Sequence, residues 1–420
     1  MKRIIFVDDD TRVLEGLRRL MRGFRSQWQM EFYDNPLKAL EQIEKQPPDV
    51  VVSDIRMPVM DGAELLTQVQ ERAPATIRIA LSGQCDRAAV MRAIRPTHQF
   101  LAKPCEPETL RKTLTRLSEL RDRVINEEVR AEISRIAALP VVPEALTQLR
   151  RVLTQDDVSI RTVAKLMASD VGMCAKVMQL VSSNFFGTQR SACLPEAAVR
   201  VLGMDVIRPL VLSQDLFMPI PLEEDLSHLG RFYNRLCCTV ARAAQRIAQM
   251  ENAGEPFCTY SYLGGLFAKV GVVIYAALDI TKYHQIFRLA VEGHGSLRQL
   301  ETQVYGVART QAGAYLFALW GLPEPVVDAV MYADRPSASP VAGFTPTTAV
   351  HVAEVLVQRL VGSIGGGQPF LNQDYLRTIG LEDRLKDWEK EVEQVVEETF
   401  RDEEREGNVS EPVLQETATE

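Results

Sequence analysis

The chain of 420 residues has five histidines, no paired cysteines and no long apolar run, and each shortage excludes something. The seven cysteines (Cys85, Cys105, Cys174, Cys193, Cys237, Cys238 and Cys258) show neither a C-x-x-C pair nor metal-finger spacing. They read as reduced, mostly packed thiols of a cytoplasmic protein. No segment reaches the roughly 18 apolar residues of a membrane helix. Residues 261–280 come nearest, but Lys269 and several glycines interrupt them. The basic, apolar start Met1–Val7 is cut off by Asp8-Asp9-Asp10, too early for a signal peptide. A net charge of −8 and a pI near 5.4 argue against a general nucleic-acid binder. The apolar (46%) and charged (25%) fractions suit a globular protein with room for two or three domains.

Against that background, the first 125 residues alternate strand and helix five times. Strands are predicted at Arg3–Val7, Met30–Tyr33, Val50–Asp54, Ile77–Leu81 and 99–102, with helices over 11–24, 36–44, 63–72 and after Pro107. This regular alternation predicts a doubly wound (βα)5 parallel sheet. Polar residues at the strand ends then converge on one sheet edge: Asp8 and Asp9, Asp54, Ser82, and Lys103-Pro104. Three carboxylates so close repel unless a cation lies among them, and an all-oxygen set suits Mg²⁺. A carboxylate beside Mg²⁺ and a lysine can attack a phosphoryl donor, because both cations neutralise the transferring group.

These positions resemble the receiver domain of two-component response regulators. The resemblance implies that Asp54 is the phosphoacceptor, served by a sensor histidine kinase. It implies that Asp8, Asp9 and Asp54 hold Mg²⁺ with the Arg56 backbone carbonyl, and that Lys103 pairs with the phosphoryl group. It makes Ser82 and Phe100 the switch pair, which swing inward and remodel the face made by the last strand and the last two helices. Phe100 keeps the packing role of the aromatic without a hydroxyl.

Residues 107–135 contain only Pro107 as a breaker, and Leu110, Leu114, Leu117, Leu120 and Val124 share one helical face. The expectation is that the last helix of the receiver runs on as a signalling helix through Val129 and Ile133. Beyond about residue 120 the sheet is too short to cover that face. A two-stranded coiled coil, and so a homodimer through the receiver and connecting helix, is the reading there.

From 136 to 380 the periodicity is helical. Helices are predicted at about 144–154, 159–168, 171–182, 195–202, 205–217, 230–250, 258–279, 283–291, 296–319, 323–332 and 346–361. Several strings resemble the HDOD domain, a branch of the HD phosphohydrolase superfamily. They include Leu139-Pro140, Ser169–Val177, Ser182–Gly187, Ala197–Gly203, Gly264–Gly271 and Leu319–Pro323. An HD hydrolase needs clustered histidines and a His-Asp pair to hold its metals. None of His98, His228, His284, His294 and His351 precedes an aspartate. Where the resemblance would put His-Asp the chain has Ala268-Lys269, and later ligand-like positions carry Arg309 and Tyr332-Ala333.

The reading is therefore a metal-free HDOD output that relays the signal to a downstream protein. A metal-dependent phosphodiesterase or nucleotide hydrolase, with His284 and His294 as the candidate ligand pair, is the alternative. A DNA reader is disfavoured, since a recognition helix beginning Asp170-Val171-Gly172-Met173 offers no base-reading side chain. A glycine-rich loop at 362–368 leads to an acidic amphipathic helix over about 382–404, marked by Leu385, Trp388, Val392, Val395, Val396 and Phe400. Its apolar face is expected to dock on the helical domain, with a disordered tail over 405–420.

Overall fold

The computed structural model describes residues 2–83, 91–123, 126–155, 157–182, 194–212, 217–219, 224–362 and 370–406. The string Asn184–Gly187, the loop 363–369 and the tail from 407 lie outside them.

The N-terminal unit is a five-stranded parallel sheet in the order β2-β1-β3-β4-β5. Its strands are β1 (Lys2–Val7), β2 (Trp28–Tyr33), β3 (Val50–Asp54), β4 (Ile77–Gly83) and β5 (Gln99–Lys103). Every residue of β3 is buried, as its β-branched run requires of a central strand with helices on both faces. Side chains set the helix starts. Asp10 caps α1 (Thr11–Leu20), Asn35 with Pro36 opens α2 (Pro36–Lys45), and Asp61 and Glu64 form a capping box on α3 (Gly62–Arg72). A Cβ on Gly62 would lie 2.1 Å from the Asp54 carbonyl oxygen, so only glycine lets α3 begin this close to β3.

The connecting segment departs from the expectation of one continuous helix. Helix α4 (Pro107–Arg123) is followed by a separate α5 (Glu127–Arg135). Asn126 takes an extended conformation, and its side chain accepts from the Val129 amide at 3.1 Å. An asparagine that bonds its own downstream backbone competes with helix and becomes a cap. The Val124 position of the expected coiled-coil face lies outside the described residues, but the other described side chains of that face are covered. Leu117, Val129 and Ile133 are buried in the core of the chain, where α4 and α5 both pack on α16 (Arg309–Leu319) of the helical unit.

The helical unit begins with α6 (Pro143–Leu153), α7 (Ile160–Ala168) and α8 (Val171–Ser182), followed by α9 (Pro195–Leu202) and α10 (Met204–Leu212). Its central layer packs α11 (Glu224–Met250) on α12 (Glu255–Phe267) and α18 (Pro346–Val361). The stretch predicted as one helix over 258–279 is two, α12 and α13 (Val270–Leu278), broken at Ala268-Lys269. After α14 (Ile280–Val291), the stretch predicted over 296–319 is also two. Gly306, at φ +78°, ends α15 (Leu297–Tyr305) before α16. Helix α17 (Glu324–Tyr332) packs on α16 and α18.

A two-residue parallel ladder, Pro140–Val141 with Met218–Pro219, and the short α19 (Gln373–Thr378) have no counterpart in the sequence reading. The last helix, α20 (Leu385–Glu406), docks on α11 and α18 through Trp388, Val392 and Val395, as expected. It is helical to Glu406, past the predicted end at 404. By length and composition Glu255–Leu278 passes for a membrane span, but 67% of its apolar window is buried inside the fold.

Polar contacts also join the two units. Gln99 Nε2 donates to the Ala318 carbonyl at 3.0 Å, Arg116 to the Leu322 carbonyl at 2.7 Å, and Asn126 Nδ2 to the Tyr305 carbonyl at 2.9 Å.

Candidate phosphoacceptor site and the ligand-like positions of the helical domain

Parallel register builds the site. Val7 pairs with Ser53 and Asp54 with Leu81, so Asp8 leaves β1 beside Asp54, and Ser82 follows on the neighbouring strand. Gly83 pairs with Lys103 at the far side of the same edge. Carboxylate oxygens of Asp8, Asp9 and Asp54 lie within 4.8 Å of one another. Lys103 Nζ sits 2.7 Å from Asp8 Oδ2 and 2.7 Å from Asp54 Oδ1. Asp8 and Asp54 are buried, while Asp9 is exposed. One ammonium against three carboxylates leaves negative charge uncompensated, and oxygen-only donors fit a hard divalent cation. Among the described residues this is the one grouping of three or more His, Cys, Asp or Glu close enough to hold a metal.

Burial pushes the Asp54 carboxyl above its ordinary value, against the hydrogen bond and charge of Lys103. Burial also pulls on the Lys103 ammonium, but its bonds to Asp54 and Asp8 outweigh that and hold it above the ordinary lysine value. Ser82 is buried inside β4 rather than past its end, with its hydroxyl 3.3 Å from the Gly83 carbonyl. Phe100 is buried in the shared core, and the Arg56 side chain is exposed. The peptide between Lys103 and Pro104 is cis.

The sequence-predicted ligand-like positions Lys269 and Arg309 both take part in ion pairs. Lys269, at the head of α13, bonds Glu354 of α18. Arg309 opens α16; its amide donates to Glu301 Oε2 at 2.9 Å and its guanidinium lies 3.3 Å from the same carboxylate. Tyr283 Oη donates to the other oxygen of Glu301 at 2.8 Å. Burial favours the neutral acid at Glu354, yet Lys269 overrides it and holds this carboxyl below its usual range. Both cations thus have carboxylate partners. Tyr332 and Ala333 close α17, and the Ala333 carbonyl lies 2.7 Å from His351 Nδ1.

Among the described residues the histidines do not form a cluster. His284 and His294 are exposed. His98 and His351 are buried, with backbone groups at both of their ring nitrogens. The sequence reading also missed Glu301 and Glu354. The available signal was Glu354 as a lone acid in the apolar run Val350–Val357.

The sequence matches the family model of the response regulator receiver domain over residues 4–115 and that of the HDOD domain over residues 139–336. It is 31% identical over 156 residues to the response regulator MprA of Mycobacterium ulcerans, covering 36% of this chain and 66% of that protein. It is 30% identical over 118 residues to the hydrogenase transcriptional regulatory protein HoxA of Cupriavidus necator, covering 28% of this chain and 24% of that one. Among solved structures, the MmoQ response regulator of Methylococcus capsulatus aligns at 21% identity and a TM-score of 0.45, over 60% of this chain and 97% of that chain. The chain thus spans from about a quarter to two-thirds of the length of these two curated relatives. Receiver domains generally bind Mg²⁺ for phosphorylation and generally interact with histidine kinases. With both family matches in chain order on the matching folds, this chain is a response regulator that joins a receiver domain to an HDOD domain.

Proposed function

We propose that Asp54 accepts a phosphoryl group from the phosphohistidine of a sensor kinase, and that the HDOD domain relays the event to a protein partner. The observation that carries this is Lys103 bridging Asp54 and Asp8 at 2.7 Å each. A carboxylate oxygen of Asp54 bonds to phosphorus as the phosphorus–nitrogen bond breaks, and the leaving imidazole keeps that electron pair. Asp8, Asp9, Asp54 and the Arg56 carbonyl would hold Mg²⁺, which supplies charge neutralisation to the transferring group. Lys103 supplies a second cation and is freed from its pairing with Asp54 as the acyl phosphate forms. Ser82, one residue along from the register partner of Asp54, takes a phosphoryl oxygen, and Phe100 follows it in the core behind. The ion pairs at Lys269 and Arg309 support a binding rather than a hydrolytic output. The place of action is the cytoplasm, where such kinases present their phosphohistidine.

The test is labelling of the full chain with acetyl phosphate and Mg²⁺, read by intact mass. Asp54→Asn should abolish the added phosphoryl mass, and labelling that persists would overturn the assignment. Light scattering with beryllofluoride then reads whether the phosphorylated form separates its domains or pairs with a second copy.

A further inference from the structure

At the end of the sheet opposite Asp54, the receiver meets the connecting helix through the His98 imidazole and the helical domain through the His98 backbone carbonyl. His98 precedes β5 and is 3% exposed. Its Nδ1 accepts the Arg78 amide of β4 at 3.0 Å, and its Nε2 lies 2.9 Å from the Ser134 carbonyl of α5. An Nδ1 that accepts a backbone N–H is unprotonated, so Nε2 carries the single ring proton and donates to Ser134. The His98 carbonyl accepts from Gln179 Nε2 of α8 at 3.3 Å, and that amide is held by Lys176 at 2.9 Å. Arg78 Nη2 sits 2.9 Å from His98 Nε2 and also donates to the Ser134 carbonyl. One residue thereby ties β4, the connecting helix and the helical domain.

We propose that His98 is an acid-sensitive bolt between the two domains, which close on the neutral imidazole and part when Nδ1 gains a proton. A proton there turns an acceptor into a donor facing the Arg78 N–H and sets an imidazolium against a guanidinium. The Arg78 guanidinium from β4 acts on the imidazole directly and Lys176 from α8 holds the Gln179 side chain, while Arg121 from α4 and Arg130 from α5 join Arg78 around the buried Tyr315 phenol of α16. Arg121 is in turn paired with the Asp49 carboxylate. Burial, reinforced by Arg78, holds His98 well below its ordinary value of 6.5.

The sign follows. Closure depresses the histidine, so it is at full strength above about pH 6.5 and weakens as pH falls. With the parted state titrating normally, the opening constant rises about fourfold from pH 8 to pH 6 and about tenfold per further unit. Burial also brings Lys176 down to about 7, inside the same window, so the experiment must separate the two. The bolt stands on this interface alone and operates whether or not Asp54 is the phosphoacceptor.

The test is amide exchange of the full chain between about pH 8 and pH 6, corrected for intrinsic rates, comparing segments 97–101 and 315–322 with β1 and β3. The expected result is a fourfold acceleration at the interface segments and none in the two central strands. Asp54→Asn should keep this step and His98→Asn should remove it. Unchanged interface exchange in the wild type, or the same step in His98→Asn, would overturn the proposal; the latter would assign it to Lys176. Nitrogen resonances of the wild-type imidazole decide the matter even if His98→Asn fails to fold. An Nδ1 that stays unprotonated to about pH 6 supports the bolt. Titration near 6.5 with the interface still protected refutes it.

Discussion

Lys269 and Glu354 form a buried ion pair between the head of α13 and the middle of α18. Removing one partner strands the other charge. Lys269→Met should therefore destabilise the chain by about 3–5 kcal/mol in urea unfolding, and Lys269→Met with Glu354→Leu should recover most of it. The folded Glu354 carboxyl lies below its ordinary value of 4.5, so the pair contributes above that pH and loses its effect as pH falls through the lower, folded value.

Lys103 opposes the effect of burial on Asp54. Lys103→Met should raise the Asp54 carboxyl further and move the acid limb of acetyl-phosphate labelling to higher pH. Labelling at neutral pH should slow by about tenfold or more for loss of one preorganised cation. A pH profile superimposable on that of the wild type would show that Lys103 does not act on Asp54.

EDTA should suppress labelling in the wild type, and Mg²⁺ should restore it. Asp9→Ala should weaken the Mg²⁺ dependence while leaving thermal unfolding nearly unchanged, because Asp9 is exposed and surface changes move stability by about 0.5 kcal/mol or less.

Arg116 reaches from α4 to the Leu322 carbonyl, and burial draws its guanidinium below the ordinary arginine value. Arg116→Met should leave that carbonyl unsatisfied, at a cost of about 1–3 kcal/mol. Faster amide exchange in 315–322, with the central strands of the sheet unaffected, is the expected reading.

Trp388 is fully buried, and its indole N–H donates to Glu251 at 3.0 Å. Trp388→Ala should cost about 3–5 kcal/mol and release α20 to protease cleavage.

The receiver was legible because its signals are local. A short β-branched run ending in Asp54 and repeated strand–helix alternation fix both the sheet and its chemical edge. Helix existence in the second domain was also legible, whereas three breaks were not. Asn126, Lys269 and Gly306 each interrupt a helical period that continues on both sides, and only tertiary packing decides whether the chain turns there. The ion pairs were hidden for a different reason. Lys269 and Glu354 are 85 residues apart, and no periodicity links them. The same holds for Arg78 and His98, which look like ordinary polar residues beside strands until β4 and β5 are laid together.

The cover that α16 places over α4 and α5 sets a competition. A tethered occupant holds its site at an effective concentration on the order of millimolar. Any second receiver, or any foreign helix, that seeks this face must outbid a neighbour that never diffuses away. The face is therefore expected to stay silent toward chance encounters at cellular protein levels, and a signal that loosened α16 would act by altering the terms of that contest rather than by building a new surface.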